Sequence, residues 1–88
     1  MAQIRKRIGD IIETDVDDET VVVQLETGDM YSLAGTARTI WKMLDKEADA
    51  EAIVRSLADR HGGARDRIAA DLSEFCSDMQ DAGLVQTR

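Results

Sequence analysis

The sequence predicts an α+β domain in which a three-stranded antiparallel sheet is followed by three helices. Three observations carry that expectation. β-Branched residues crowd the first third of the chain, apolar residues recur at helical spacing through the rest, and glycine or acidic turn residues separate the segments. A length of 88 residues points to a single domain over 1–88, with residues 1–9 expected as a flexible N-terminal segment. Tyr31, Trp41 and Phe75 are the whole aromatic complement, so aliphatic side chains must do most of the packing.

Each element has its own signal. Ile11, Ile12, Thr14 and Val16 form a first β-rich run, interrupted by a turn at Asp17-Asp18-Glu19. Thr20-Val21-Val22-Val23-Gln24-Leu25 is the second strand. In Glu26-Thr27-Gly28-Asp29, Gly28 can supply the positive φ of a tight hairpin. Met30-Tyr31-Ser32-Leu33 returns as the third strand, with Tyr31 and Leu33 on one face and Met30 and Ser32 on the other. Ala37, Ile40, Trp41 and Leu44 then mark a first helix, starting at Gly35-Thr36 with Thr36 as the expected N-cap. Asp49 caps a second, with the stripe Ala50, Ile53, Val54, Leu57 and Ala58 and a stop at His61-Gly62-Gly63. Ile68, Leu72, Phe75 and Met79 mark a third, beyond which Gly83 takes the left-handed position and Leu84 folds back onto Met79. Neither layer can bury its apolar side alone, so the helices should cover one face of the sheet. A small helical cluster beside a small sheet is the winged helix-turn-helix outline.

Charge excludes some partners. Lys+Arg is 11 and Asp+Glu is 18, a net charge of -7, which repels phosphate backbones and anionic membranes. The third helix would be the recognition helix of a DNA-binding winged helix. Over residues 64–82, Arg65 and Arg67 give +2 against -5 from Asp66, Asp71, Glu74, Asp78 and Asp81. A net -3 on the surface that should meet phosphates argues against nucleic acid. No run approaches the ~18 apolar residues of a membrane span. The basic N-terminal residues lead into no apolar stretch, so no signal peptide is expected. A lone cysteine, Cys76, fits a reducing cytoplasm.

Candidate chemistry is thin. Cys76 could be a nucleophile paired with His61, but its place near the apolar stripe reads better as a small buried hydrophobe. Asp15, Asp17, Glu19 and Glu26 match a calcium-loop spacing, yet Thr20 stands where that loop needs glycine, and a solvated acidic turn is the default. Gly62-Gly63 is not followed by the Lys-Ser/Thr of a phosphate loop, and no Cys/His cluster has zinc spacing. No catalytic residue, cofactor or metal is expected.

A physically better use of this architecture is to hold another chain. A three-stranded meander has exposed edges, and an edge strand is a template onto which an extended peptide can add. The third strand, Asp29 to Leu33, is short with a polar tip, and the third helix could wall a groove beside it. Met30, Tyr31, Leu72 and Phe75 could equally be plain core.

The residues also carry a resemblance. Leu25-Glu26-Thr27-Gly28-Asp29-Met30-Tyr31-Ser32-Leu33 resembles the L-x-T-G-x-Y-x-L hairpin of PqqD-like proteins. Gly35 through Leu44 resembles their first helix, and Asp71-Leu72 through Phe75 to Ala82-Gly83-Leu84-Val85 resembles their closing helix with its G-L stop. One departure is Ala34, where the family often has Asn. The resemblance implies a stand-alone recognition domain for the leader of a ribosomally made, post-translationally modified peptide. It implies a leader lying along Asp29, Met30, Tyr31, Ser32 and Leu33 and against Arg65, Ile68, Ala69, Asp71, Leu72, Phe75 and Cys76. The second partner it implies is a leader peptidase of lasso-peptide maturation or, alternatively, a radical peptide-modifying enzyme as in quinone-cofactor synthesis. The rival of another class is a winged-helix DNA-binding regulator.

Overall fold

A computed structural model describes residues 3–46 and 48–87. The order is β1 (Ile4–Lys6), a 3-10 turn (Ile8–Asp10), β2 (Ile11–Val16), β3 (Glu19–Gln24), β4 (Met30–Leu33), α1 (Gly35–Met43), α2 (Ala50–His61), α3 (Arg65–Asp81) and β5 (Val85–Thr87). The three strands expected from the sequence are β2, β3 and β4, and they form one antiparallel sheet in that order. The fold is the expected α+β arrangement.

Both hairpins are set by local chemistry. Asp17 takes φ 57 between β2 and β3, a conformation aspartate tolerates better than most residues. Gly28 takes φ 76 between β3 and β4, and its N–H donates to the Gln24 carbonyl at 2.8 Å. The registers pair Glu13 with Val22 and Val22 with Tyr31. One face therefore presents Ile11, Glu13, Asp15, Thr20, Val22, Gln24, Tyr31 and Leu33, and the other Ile12, Thr14, Val16, Val21, Val23, Met30 and Ser32.

The helices lie on the first of these faces. Trp41 of α1 is fully buried and its indole Nε1 donates to Glu13 at 2.8 Å, while Arg38 donates to Thr20 at 3.0 Å. The core joins Val22, Leu33, Ile40, Trp41, Ile53, Leu57, Leu72 and Leu84 across sheet and helices. Asp49 caps α2, accepting from the Glu51 N–H at 3.0 Å. Thr36 is not the cap of α1. The cap position is extended Ala34, two residues earlier, with no side-chain cap, and the helix begins at Gly35. At the end of α3 the Gly83 N–H bonds the Gln80 carbonyl at 3.0 Å and the Leu84 N–H bonds the Met79 carbonyl at 2.9 Å, closing the helix around left-handed Gly83. A Cβ on Gly83 would stand 2.8 Å from the Gln24 amide nitrogen, so glycine serves both the turn and the close approach.

The second, two-stranded sheet is new. β1 pairs antiparallel with β5, Ile4 opposite Thr87. Residues 4–6 thus form a strand within the segment expected to be flexible; residues 1 and 2 lie outside the described residues. Ile4 is buried, and so is Lys6. The ammonium of Lys6 lies 3.1 Å from Glu13, 2.6 Å from Asp45 and 4.4 Å from the centroid of Trp41. Two carboxylates and an aromatic face offset the desolvation of this cation. The acidic run stays exposed as expected, but Glu13 accepts from Trp41 and Asp15 pairs with Lys42 of α1 at 2.8 Å.

Candidate functional site

The candidate site starts with an edge. β4 pairs only with β3, so its other side is open. The Gln24 N–H donates to the Asp29 carbonyl at 2.9 Å, which fixes the alternation of the ladder. Tyr31 and Leu33 then exchange backbone bonds with Val22 and Thr20, and the N–H and C=O of Met30 and Ser32 point away from β3. Two residues therefore offer unpaired backbone donors and acceptors in the spacing that an added strand requires.

Beside the edge the side chains divide by alternation. Met30 is 68% exposed and Ser32 is exposed, its hydroxyl donating to Glu19 at 3.0 Å. Tyr31 is half-buried, Leu33 is core, and Asp29 is exposed in the turn.

The third helix separates the seven residues expected there into four groups. Leu72 and Cys76 are buried and belong to the core. Ala69, with Leu72 and Cys76, lines a cleft of about 460 Å³ that also contains Ile4, Val54 and Thr87. That places Ala69 on the flank facing α2 and the β1–β5 ribbon. Ile68 and Phe75 are absent from that lining, and the helical repeat puts them, with Asp71, on the opposite flank. Both are half-buried and pack against the same core as Tyr31. Arg65 is exposed in the first turn of α3. The half-buried flank continues through Met79 and Ala82, which the sequence reading did not include in the site. Their signal was helical recurrence, Met79 eleven residues after Ile68 and Ala82 seven after Phe75.

Little else offers chemistry. Burial pushes the Cys76 thiol above its ordinary value, so it stays protonated at neutral pH and is a poor nucleophile. The His61 side chain lies outside what the structure describes. Among the described residues no group of carboxylates, His and Cys could hold a metal ion. Of the four acids with calcium-loop spacing, Asp15 is engaged by Lys42 and Thr20, and Glu19 by Ser32. A cleft of about 1080 Å³ between α1 and α2 includes Arg38, Lys42, Lys46 and Arg60 in its lining. Arg38 and Lys42 already face Asp15. All five acids of α3 are exposed, so that helix presents a negative outer surface. No described helix is long and apolar enough to cross a membrane.

Comparison with known proteins decides the family. The family model for coenzyme PQQ synthesis protein D (PqqD) matches residues 19–85. The chain belongs to the PqqD family. That match runs from the start of β3 through the first residue of β5, so it takes in the open edge and the whole of α3. Two solved structures share the PqqD-type fold. One is described as TbiB1 in complex with the TbiA(beta) leader peptide: TM-score 0.86 and 23% identity, over 93% of this chain and 94% of that one. The other is a lasso peptide synthetase B1 complexed with the leader peptide: TM-score 0.80 and 20% identity, over 96% of this chain and 98% of that one. No curated protein matches the sequence significantly.

Proposed function

We propose that this PqqD-family chain binds the leader segment of a ribosomally synthesised precursor peptide by strand addition to β4. It then delivers the leader to a separate maturation enzyme. The observation that carries this reading is the open β4 edge, where the backbone groups of Met30 and Ser32 face outward, while Tyr31 and the half-buried flank of α3 pack against one core. An extended leader would bond to those two residues. Its inward side chains would rest against Tyr31, Ile68 and Phe75, with Leu33, Leu72 and Cys76 as the floor beneath. Asp71 and Arg65 stand at the polar margin, where they would select charge. Ala69, turned toward α2, has the weakest claim to contact.

The chain would supply binding and no catalysis, consistent with a protonated, buried Cys76. The negative surface, net -7, favours a partner with basic character and disfavours DNA, as do the exposed acids of α3. A leader peptidase of lasso-peptide maturation is the favoured enzyme partner, because both structural neighbours are leader-peptide complexes and one of them is a lasso peptide synthetase B1. A peptide-modifying radical enzyme is the alternative, in keeping with the family's name. A reducing cytoplasm suits the single cysteine.

The test is an isotope-edited NMR titration with the leader of a short reading frame encoded beside this gene. Shifts should cluster on residues 29–33 and on the Ile68–Phe75 flank of α3. Ser32→Pro removes one N–H that β3 does not use, so the fold should survive and affinity should fall about tenfold. Unchanged affinity in a folded variant would rule out strand addition at that point.

A further inference from the structure

The sheet face away from the helices is apolar where a solvated face should be polar. An antiparallel sheet packed on one side normally alternates apolar-in and polar-out. Here the outward positions include Ile12, Val16, Val21, Val23 and Met30. Ile12, Val23 and Met30 stand opposite one another, forming a continuous row across all three strands. Ile12 is 55% exposed, Val16 50% and Met30 68%, while Val21 and Val23 are half-buried only by their neighbours. Leu25, 52% exposed, continues the same alternation beyond β3. Four of the five large exposed apolar residues described thus lie on one face. The Val21-Val22-Val23 run is what a strand buried on both faces looks like, yet only Val22 meets the helices.

The rim of this face is acidic at both ends. Asp17, Asp18 and Glu19 are exposed at the β2–β3 turn, and Glu26 and Asp29 at the β3–β4 turn. A second copy laid on this face would bring acid onto acid in either orientation. A protein surface that is apolar at its centre and flanked by Lys or Arg meets both features.

We propose that the outer face of β2–β3–β4 is a docking surface for a partner protein whose contact patch is apolar and cation-rimmed. Resting on the peptide-recognition reading, the occupant is the maturation enzyme itself. Because β4 is the strand that would receive the leader, the added strand extends this same sheet, and alternate leader side chains emerge on its outer face. Enzyme and leader would then meet side by side on one surface, while the domain's helices stay clear of both.

The test uses the labelled full chain and two short synthetic amphipathic helices of the same pattern, one of Leu and Lys and one of Leu and Glu. The Leu/Lys helix should shift the amides of Ile12, Val21, Val23 and Leu25, and the Leu/Glu helix should not. Ile12→Lys should weaken Leu/Lys binding about tenfold while leaving leader affinity at β4 unchanged; Ile12 is exposed, and a well-dispersed spectrum confirms folding. Val23→Thr, which keeps the β-branched shape, should weaken it less. Shifts confined to the acids of α3, or none, overturn the proposal. So does a concentration-dependent dimer that Ile12→Lys dissociates, which would give the face to a second copy. A leader that fails to bind the wild-type chain, with the Leu/Lys result intact, sinks the peptide reading and leaves the docking face standing.

Discussion

The face of the β2–β3–β4 sheet that meets the helices carries Glu13, Asp15, Thr20 and Gln24, whereas the face turned to solvent carries Ile12, Val21, Val23 and Met30. The outer face departs from the usual rule, and the inner face mixes polar groups among its core residues Ile11, Val22 and Leu33. The inner polar groups are tolerated because each has a partner. Gln24 is 2% exposed, its Nε2 donates to the Gly83 carbonyl at 2.8 Å and its Oε1 accepts the Glu26 N–H at 2.6 Å. Thr20 donates to Asp15 at 2.7 Å and accepts from Arg38. Among the described residues, no buried side-chain nitrogen or oxygen lacks a partner. With apolar residues on both faces, hydrophobic pattern alone cannot set the strand register. These directional contacts can, because a slip of one residue would turn every one of them outward.

That contrast can be broken at graded cost. Gln24→Ala should be the most damaging change, at about 3 kcal/mol in denaturant unfolding. It strips the Gly83 carbonyl of its donor and leaves a gap where the α3 turn sits on the sheet. Val22→Thr and Val23→Thr make a sharper pair, since the two residues are adjacent and the substitution keeps nearly the same shape. Val22→Thr buries a hydroxyl and should cost about 2 kcal/mol. Val23→Thr should stay within about 0.5 kcal/mol. Equal costs would mean that the outer face is covered in the isolated protein.

The smallest effect concerns acid. The hydrogen bond from Lys42, and then that from Thr20, hold the Asp15 carboxyl below its ordinary value. A carboxylate lowered on folding contributes stability that is fully present above its unfolded value, about 4, and is lost as pH falls through its lower folded value. Stability should therefore decline with acidification below about pH 4. Asp15→Asn should flatten a small part of that decline, because the group is well exposed.

Much of this architecture was legible. Turn residues and stripes gave the three strands, the three helices and the Gly83 stop, since each depends on local chemistry. The β1–β5 ribbon was not legible. A three-residue strand has no period to detect, and Lys6 reads as one more surface cation until Glu13, Asp45 and Trp41 are brought around it. The open edge of β4 could be expected from a short terminal strand in a meander. Which flank of α3 stays half-buried could not. Ile68, Leu72, Phe75 and Cys76 all belong to one apolar stripe, and only the position of α2 separates the Phe75 side from the Ala69 side. The inward aim of Glu13 and Asp15 was hidden for a similar reason, because six acids in a row of turn and strand look the same whichever way they point.

The β1–β5 ribbon has one more consequence. It ties Ile4 to Thr87, so the two ends of the described chain run side by side in opposite directions. A domain whose ends meet in this way can be spliced into a single surface loop of a host protein, because the host backbone need not stretch to accommodate it. Neither the β4 edge nor the outer sheet face takes part in that ribbon. The domain is therefore shaped as a cassette: joined to a larger protein at either end or at both, it would keep that edge and that face free.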